Sequence, residues 1–131
     1  MITAAKLLEH AHQAAAFAHC PYSHFAVGAA TLWEDGSITT GTNVENAASP
    51  LAVCAERNAI ATAVGLGHRR LCMVAVWADV PDVVTPCGGC RQVMLEFAPP
   101  DLAELKVVMG GRGETRIRTL AELLPESFRT Y

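Results

Sequence analysis

At 131 residues and 13.9 kDa the chain has room for one domain, since domains typically run about 100–150 residues, and a two-domain enzyme carrying its own cofactor fold is excluded. Hydrophobic residues make up 51% and charged residues 18%, which excludes disorder and allows a proper buried core. A net charge of −3 and a pI near 5.9 remove the attraction by which polynucleotide binders neutralise phosphates, so polymeric nucleic acid is not an expected partner.

Aromatics are only 6% of the chain, and its apolar excess is carried by Ala, Val and Leu, which suit close helix–sheet packing or burial between subunits. Together with a mean hydropathy of +0.25, this points to an oligomer. The first residues, MITAAKLLEHAHQ, interrupt their apolar pattern with charges and His, so they lack the apolar run of a signal peptide. No stretch approaches the roughly 18 apolar residues of a membrane span. A cytoplasmic location without a membrane partner is expected. Five cysteines, an odd number, argue against a disulfide framework and leave metal binding or catalysis open.

In chain order, Ala4 to Ala18 carries apolar residues at helical contact positions, with Thr3 as a candidate N-cap and Pro21 enforcing a stop. Ala26–Trp33 and Ile38–Asn43 predict an antiparallel hairpin about the turn Glu34-Asp35-Gly36-Ser37. Cys54–Val64 has helical spacing and ends at Gly65-Leu66-Gly67. Leu71–Ala78 is an apolar run of strand length, and Cys87–Phe97 a helix stopped by Pro99-Pro100. Leu105–Met109 reads as a strand, Gly110–Gly113 as a turn, Thr115–Arg118 as an edge strand and Leu120–Leu124 as a short helix. This order predicts an α/β fold, a mixed sheet with helices covering its faces.

Two segments carry chemistry: Cys54-Ala55-Glu56-Arg57 and Pro86-Cys87-Gly88-Gly89-Cys90-Arg91-Gln92. Each enters the N-terminus of a predicted helix, where unpaired N–H groups and partial positive charge favour thiolates. Cys87 and Cys90 can chelate one soft ion from a single turn, and Cys54 completes a three-thiolate set if it lies opposite. Three protein ligands and an open fourth position describe a catalytic zinc site. Glu56, superfluous as a ligand beside three sulfurs, suits a general acid/base. Three thiolates leave such a site negative; Arg57 and Arg91 follow the ligand segments and could donate to sulfur, with Arg57 favoured. The C-x-x-C pair taken alone also fits a structural zinc or a thioredoxin-like redox pair. Cys20 and Cys72 read as ordinary packing residues, and the five histidines show no ligand spacing.

Cys54-x-Glu56 with Pro86-Cys87-x-x-Cys90 fits the signature of the zinc nucleobase deaminases. Further blocks also occur in family order: Pro21-Tyr22-Ser23-His24-Phe25-Ala26-Val27-Gly28-Ala29-Ala30, Asn43-Val44-Glu45-Asn46-Ala47, and Leu123-Leu124-Pro125-Glu126-Ser127-Phe128. From about residue 20 to residue 128 the chain therefore resembles the small homotetrameric cytidine deaminases, within the cytidine/deoxycytidylate deaminase-like family. The resemblance implies a three-layer α/β/α sandwich on a mixed five-stranded sheet and one Zn²⁺ per subunit. It also implies hydrolytic deamination of a free cytosine nucleoside, with Glu56 moving protons from zinc-bound water to N3 and the leaving amine. Asn43 and Glu45 would read the ribose, Phe25 would lie beside the nucleoside, and the Ala55 N–H would meet the pyrimidine carbonyl. Phe128 would be laid against the base by a neighbouring subunit of a homotetramer.

The chain departs from the family in one loop, where Ser49 and Pro50 stand in place of a usual Tyr-Gly. That makes a blasticidin S-type or modified-cytosine nucleoside deaminase the nearest rival. A catalytically silent, zinc-stabilised assembly subunit is the rival from another class, and Glu56 discriminates against it.

Overall fold

The computed structural model describes residues 2–129. Thr3 caps the first helix, α1 (Ala4–Ala15), by accepting from the Lys6 N–H. The helix stops three residues short of the sequence expectation because His19 pairs with the chain beyond the hairpin: its N–H donates to the Asn43 carbonyl, and it bridges Val44. Strands β1 (Val27–Trp33) and β2 (Ile38–Thr42) form the expected hairpin, with Gly36 taking the positive φ its turn requires. Helix α2 (Ala55–Gly65), strand β3 (Leu71–Ala78) and helix α3 (Gly88–Phe97) follow, then β4 (Lys106–Gly110), β5 (Arg116–Thr119) and α4 (Leu120–Leu123). Two short 3₁₀ turns, Ser49–Leu51 and Leu102–Glu104, are additional to the predicted elements.

The five strands lie in the order β2-β1-β3-β4-β5; β3 and β4 are parallel and every other pair antiparallel. Strand alternation divides the core between two faces. Ala30, Leu32, Ala75, Trp77 and Val108 meet Leu7, Ala11 and Ala15 of α1. Val74, Val76, Val107 and Met109 face Ile60 and Ala63 of α2 and Met94 and Leu95 of α3. The result is the three-layer sandwich on a mixed five-stranded sheet.

Helix α2 is seated on β2 by a buried polar chain. Trp33 Nε1 donates to Thr31 Oγ1, which lies 2.6 Å from Thr39 Oγ1, and Thr39 Oγ1 donates to the Ala59 carbonyl. Asn58 Nδ2 adds a bond to the Thr42 carbonyl. At Gly41 the approach is so close that a Cβ would stand 2.5 Å from Ala59 N and 2.6 Å from the Ala55 carbonyl oxygen. These contacts fix the height at which α2 begins, and its beginning is where the chemistry lies.

Candidate active site

Cys54 ends the loop from β2 and Cys87 ends the loop from β3. Both occupy the N-cap of the helix that follows, in nearly the same conformation: φ −71°, ψ 153° for Cys54 and φ −65°, ψ 163° for Cys87. Cys90 sits one turn inside α3 and is fully buried. The three sulfurs lie within 4.8 Å of one another, with 3.9 Å between Cys54 and Cys87 and 3.4 Å between Cys87 and Cys90. The geometry thus unites the three cysteines that the spacing selected and leaves Cys20 and Cys72 outside, each half-buried.

The thiols are not equivalent. Burial opposes the Cys87 thiolate, but the Cys90 backbone N–H and hydrogen bonding with the Cys90 and Cys54 thiols outweigh it, so its pKa falls below the ordinary thiol value. Burial, the Glu56 charge and Cys87 push Cys90 the other way, and it holds its proton tightly. Arg57 Nη2 donates to Cys54 Sγ at 3.5 Å. Its Nε is buried and has no partner among the described residues, a donor pointed into an acceptor-poor place. Soft sulfurs at two helix N-termini beside a guanidinium fit a zinc ion, which replaces the thiol protons and settles the charge that Arg57 faces. Arg91, the other candidate sulfur donor, does not reach the cluster. Its guanidinium is taken by two carbonyls, Pro86 at 2.7 Å and Leu123 at 2.7 Å.

Glu56, in the first turn of α2, is 5% exposed. Burial holds its carboxyl above the usual carboxylate range, opposed by its own N–H, by Cys90 and by the Arg57 charge. It lines a cavity of about 230 Å³ with Cys54 and Cys87, and Phe25, Asn43 and Ala55 line it as well. Ala55 opens α2, so its N–H has no intrahelical acceptor. Val27, Val76, Val84 and Thr85 complete the wall and were not picked out as site residues from the sequence. Val84 and Thr85 immediately precede Pro86, a position from which the chain has to pass the site. A larger concavity of about 440 Å³ lies among Glu34, Asp35, Arg69 and Arg70, away from the thiols. Chemistry, not volume, selects the site.

Two of the sequence-predicted residues, Glu45 and Phe128, lie elsewhere, and Asn43 lines the cavity with its amide already engaged. Asn43 spends its amide on the chain beside it, accepting from Val27 N–H at 2.9 Å and donating to the Phe25 carbonyl at 2.7 Å. It thereby holds Phe25 at the cavity wall. Glu45 lines a separate cavity with Tyr22, Asn46 and Ser49. Its carboxylate accepts from the Tyr22 and Ser23 backbone N–H groups and from the Ser23 hydroxyl, which together hold it below the ordinary carboxylate pKa. Phe128 is 72% exposed and lies beside Arg70, Gln92 and Pro100, outside the thiol cavity.

Three cysteines at the starts of two helices on a mixed sheet are the architecture of the zinc-dependent deaminases. The chain belongs to the cytidine and deoxycytidylate deaminase family: it matches the family's zinc-binding region over residues 1–105. It is 46% identical over 123 residues to a cytidine deaminase of Halalkalibacterium halodurans, covering 93% of this chain and 91% of that one. A crystal structure of cytidine deaminase from Burkholderia pseudomallei superposes with a TM-score of 0.89 at 40% identity, covering 97% of this chain and all of that one. The cytidine deaminase structure from Mycobacterium tuberculosis gives a TM-score of 0.85 at 39% identity, over 99% of this chain and 100% of that one.

Proposed function

We propose that the chain catalyses zinc-dependent hydrolytic deamination of a free cytosine nucleoside, cytidine or 2′-deoxycytidine, to the uracil nucleoside and ammonia. The observation that carries this reading is the buried Glu56 carboxyl on the wall of a thiol-bounded cavity. A zinc ion held by Cys54, Cys87 and Cys90 supplies Lewis-acid activation of water there. Glu56 accepts the proton that water loses and delivers it to N3 of the ring. The water oxygen bonds to C4, Glu56 then carries the second proton from that oxygen to the 4-amino group, and the C4–N bond breaks to leave ammonia and the C4 carbonyl. A raised carboxyl pKa suits this work, because the group must both take and give the proton near neutral pH.

The Ala55 N–H is the donor for the pyrimidine carbonyl, and Phe25 is the aromatic face beside the nucleoside. Asn43 and Glu45 are the ribose readers of this proposal. Glu45 is ready as an ionised acceptor, whereas Asn43 offers only the capacity its backbone bonds leave free.

The cavity of about 230 Å³ is smaller than the roughly 300–1,000 Å³ of typical small-molecule sites. Exposed Phe17, Tyr22, Leu51, Leu66 and Phe128 give one chain a surplus of apolar surface. Both facts support a homotetramer in which Phe128 of one subunit closes the cavity of another. Among the described residues no helix is long and apolar enough to cross a membrane, and a cytoplasmic enzyme is the reading we adopt. The relatives named above are cytidine deaminases, so a blasticidin S-type activity is not favoured. The silent-subunit reading is not favoured either, because a merely structural site has no use for Glu56.

The test is a UV assay of zinc-loaded protein on cytidine, deoxycytidine and blasticidin S, beside Glu56→Gln and zinc-stripped samples. Turnover of the first two is expected, with a loss of about 10²-fold or more in E56Q while its zinc content stays stoichiometric. Full activity in E56Q would remove the proton-transfer role. Inactivity of the zinc-loaded wild type on all three would remove the function.

A further inference from the structure

Among the described residues, Arg91 alone grips the backbone on both sides of a zinc-ligating cysteine. Its backbone N–H donates to the Cys87 carbonyl at 3.1 Å, the ordinary helical bond. Its side chain turns back, and Nε donates to the Pro86 carbonyl at 2.7 Å. Those two carbonyls belong to the peptide planes before and after the Cys87 Cα, so Arg91 fixes both soft dihedrals of that residue. They set the direction of the Cys87 Cα–Cβ bond, and so the point from which its sulfur reaches the other two. A third bond, from Nη1 to the Leu123 carbonyl at 2.7 Å, ties the same guanidinium to the end of α4. The next residue continues the connection, with Gln92 Nε2 donating to the Phe128 carbonyl at 3.0 Å.

Cys54 has no equivalent. Its carbonyl accepts from Asn58 N–H at 3.1 Å, but the Asn58 side chain leaves for β2. Cys87 needs the additional hold because it ends the loop from β3, residues 79–86, which contributes no regular structure. We infer that Arg91 is a positioning residue for the metal centre, which sets the conformation of Cys87 and links the ligand loop to the C-terminal segment. The inference rests on the zinc assignment, and it gives Arg91 a role different from that of Arg57, which meets a sulfur directly.

A lysine cannot replace it. One guanidinium presents donors along separate directions in a rigid plane and reaches two carbonyls at once, whereas an ammonium on a flexible stem meets one at the cost of the other. Partners of this kind typically contribute 10–100-fold to metal affinity or activity.

The experiment compares wild type, Arg91→Met and Arg91→Lys as full-length protein. It measures zinc release to a chromogenic chelator, the cobalt–thiolate absorption of the Co²⁺-substituted protein, and kcat and KM for cytidine. We expect zinc release about 10-fold faster in R91M, an altered cobalt spectrum, and a fall in kcat with KM held within about twofold. R91K should stay close to R91M in zinc release even where it recovers thermal stability. Release and cobalt spectra unchanged from wild type in a folded R91M overturn the inference. Should R91M fail to fold, R91K decides: unchanged release and spectrum in that variant overturn it equally. A wild type that binds no zinc and turns over no cytidine would overturn the deaminase reading itself, and is seen before any variant is made.

Discussion

Arg57 Nη2 donates to Cys54 Sγ at 3.5 Å, across the first turn of the helix that Cys54 caps. The relationship joins the ligand segment to its own charge compensation, because the same turn supplies sulfur, acid/base and cation. Replacing Arg57 with Gln removes the charge and keeps an amide donor. Zinc affinity, measured by competition with a chelator, is expected to fall about 10-fold, with turnover falling alongside. Wild-type values for both in R57Q would leave the contact without a function.

The Glu45 carboxylate gives a pH prediction of definite sign. Its pKa in the folded chain lies below the ordinary value of 4.5, chiefly through the Ser23 hydroxyl. A depressed folded pKa stabilises the fold above the unfolded value, and that contribution disappears as pH falls through the folded one. The Tyr22–Phe25 turn should therefore stay ordered on Glu45 at pH values above 4.5. In Ser23→Ala the stability deficit against wild type should be present above pH 4.5 and close below it. A deficit that is the same on both sides of that range, in thermal melts at several pH values, would show that Glu45 is not the titrating partner.

Much of this site was legible because its chemistry is local. Cys54-x-Glu56 and Cys87-x-x-Cys90 each fit within one turn at a helix start, so spacing paired residues within each segment, while the deaminase signature brought the two segments together. The sheet was equally readable through apolar runs of strand length such as Leu71–Ala78, whose Val74, Ala75, Val76 and Trp77 divide between the two buried faces. What escaped depends on partners far along the chain. Helix α1 stops early because His19 finds Asn43, and Arg91 turns from sulfur to carbonyl because Leu123 stands 32 residues away. Asn43 and Glu45, expected together at the ribose, line different cavities because β2 ends at Thr42, before strand alternation could align them.

Phe128 offers a test of assembly that separates two subunits' contributions. In its own chain it lies beside Gln92, outside the thiol cavity. If it serves a neighbour's site, Phe128→Ala should raise KM several-fold while the mass by light scattering stays that of the wild type. Mixed oligomers of F128A and E56Q should regain low KM, since an E56Q subunit still supplies its ring to an F128A subunit that still has Glu56. Hybrids with the KM of F128A alone would place Phe128 within its own subunit's work or in none.

Gly28 and Gly41 both lie where a helix meets the sheet so closely that a methyl group has no room, but on opposite faces. A Cβ at Gly28 would fall 1.9 Å from the Ala11 carbonyl oxygen of α1, and one at Gly41 would fall 2.5 Å from Ala59 N of α2. Both substitutions to Ala should destabilise by about 1–3 kcal/mol or more, since backbone has to move. Their effects on chemistry should differ. Helix α1 carries no ligand, so Gly28→Ala should lower the melting temperature while the folded fraction keeps its zinc and its kcat. Helix α2 begins at Cys54 and Glu56, and α3 holds the other two sulfurs, so displacing α2 alters a spacing that lies within 4.8 Å. Gly41→Ala should therefore lose zinc and turnover in protein that is still folded by circular dichroism. Equal zinc retention in the two folded variants would mean that the seating of α2 on β2 does not set the position of the site.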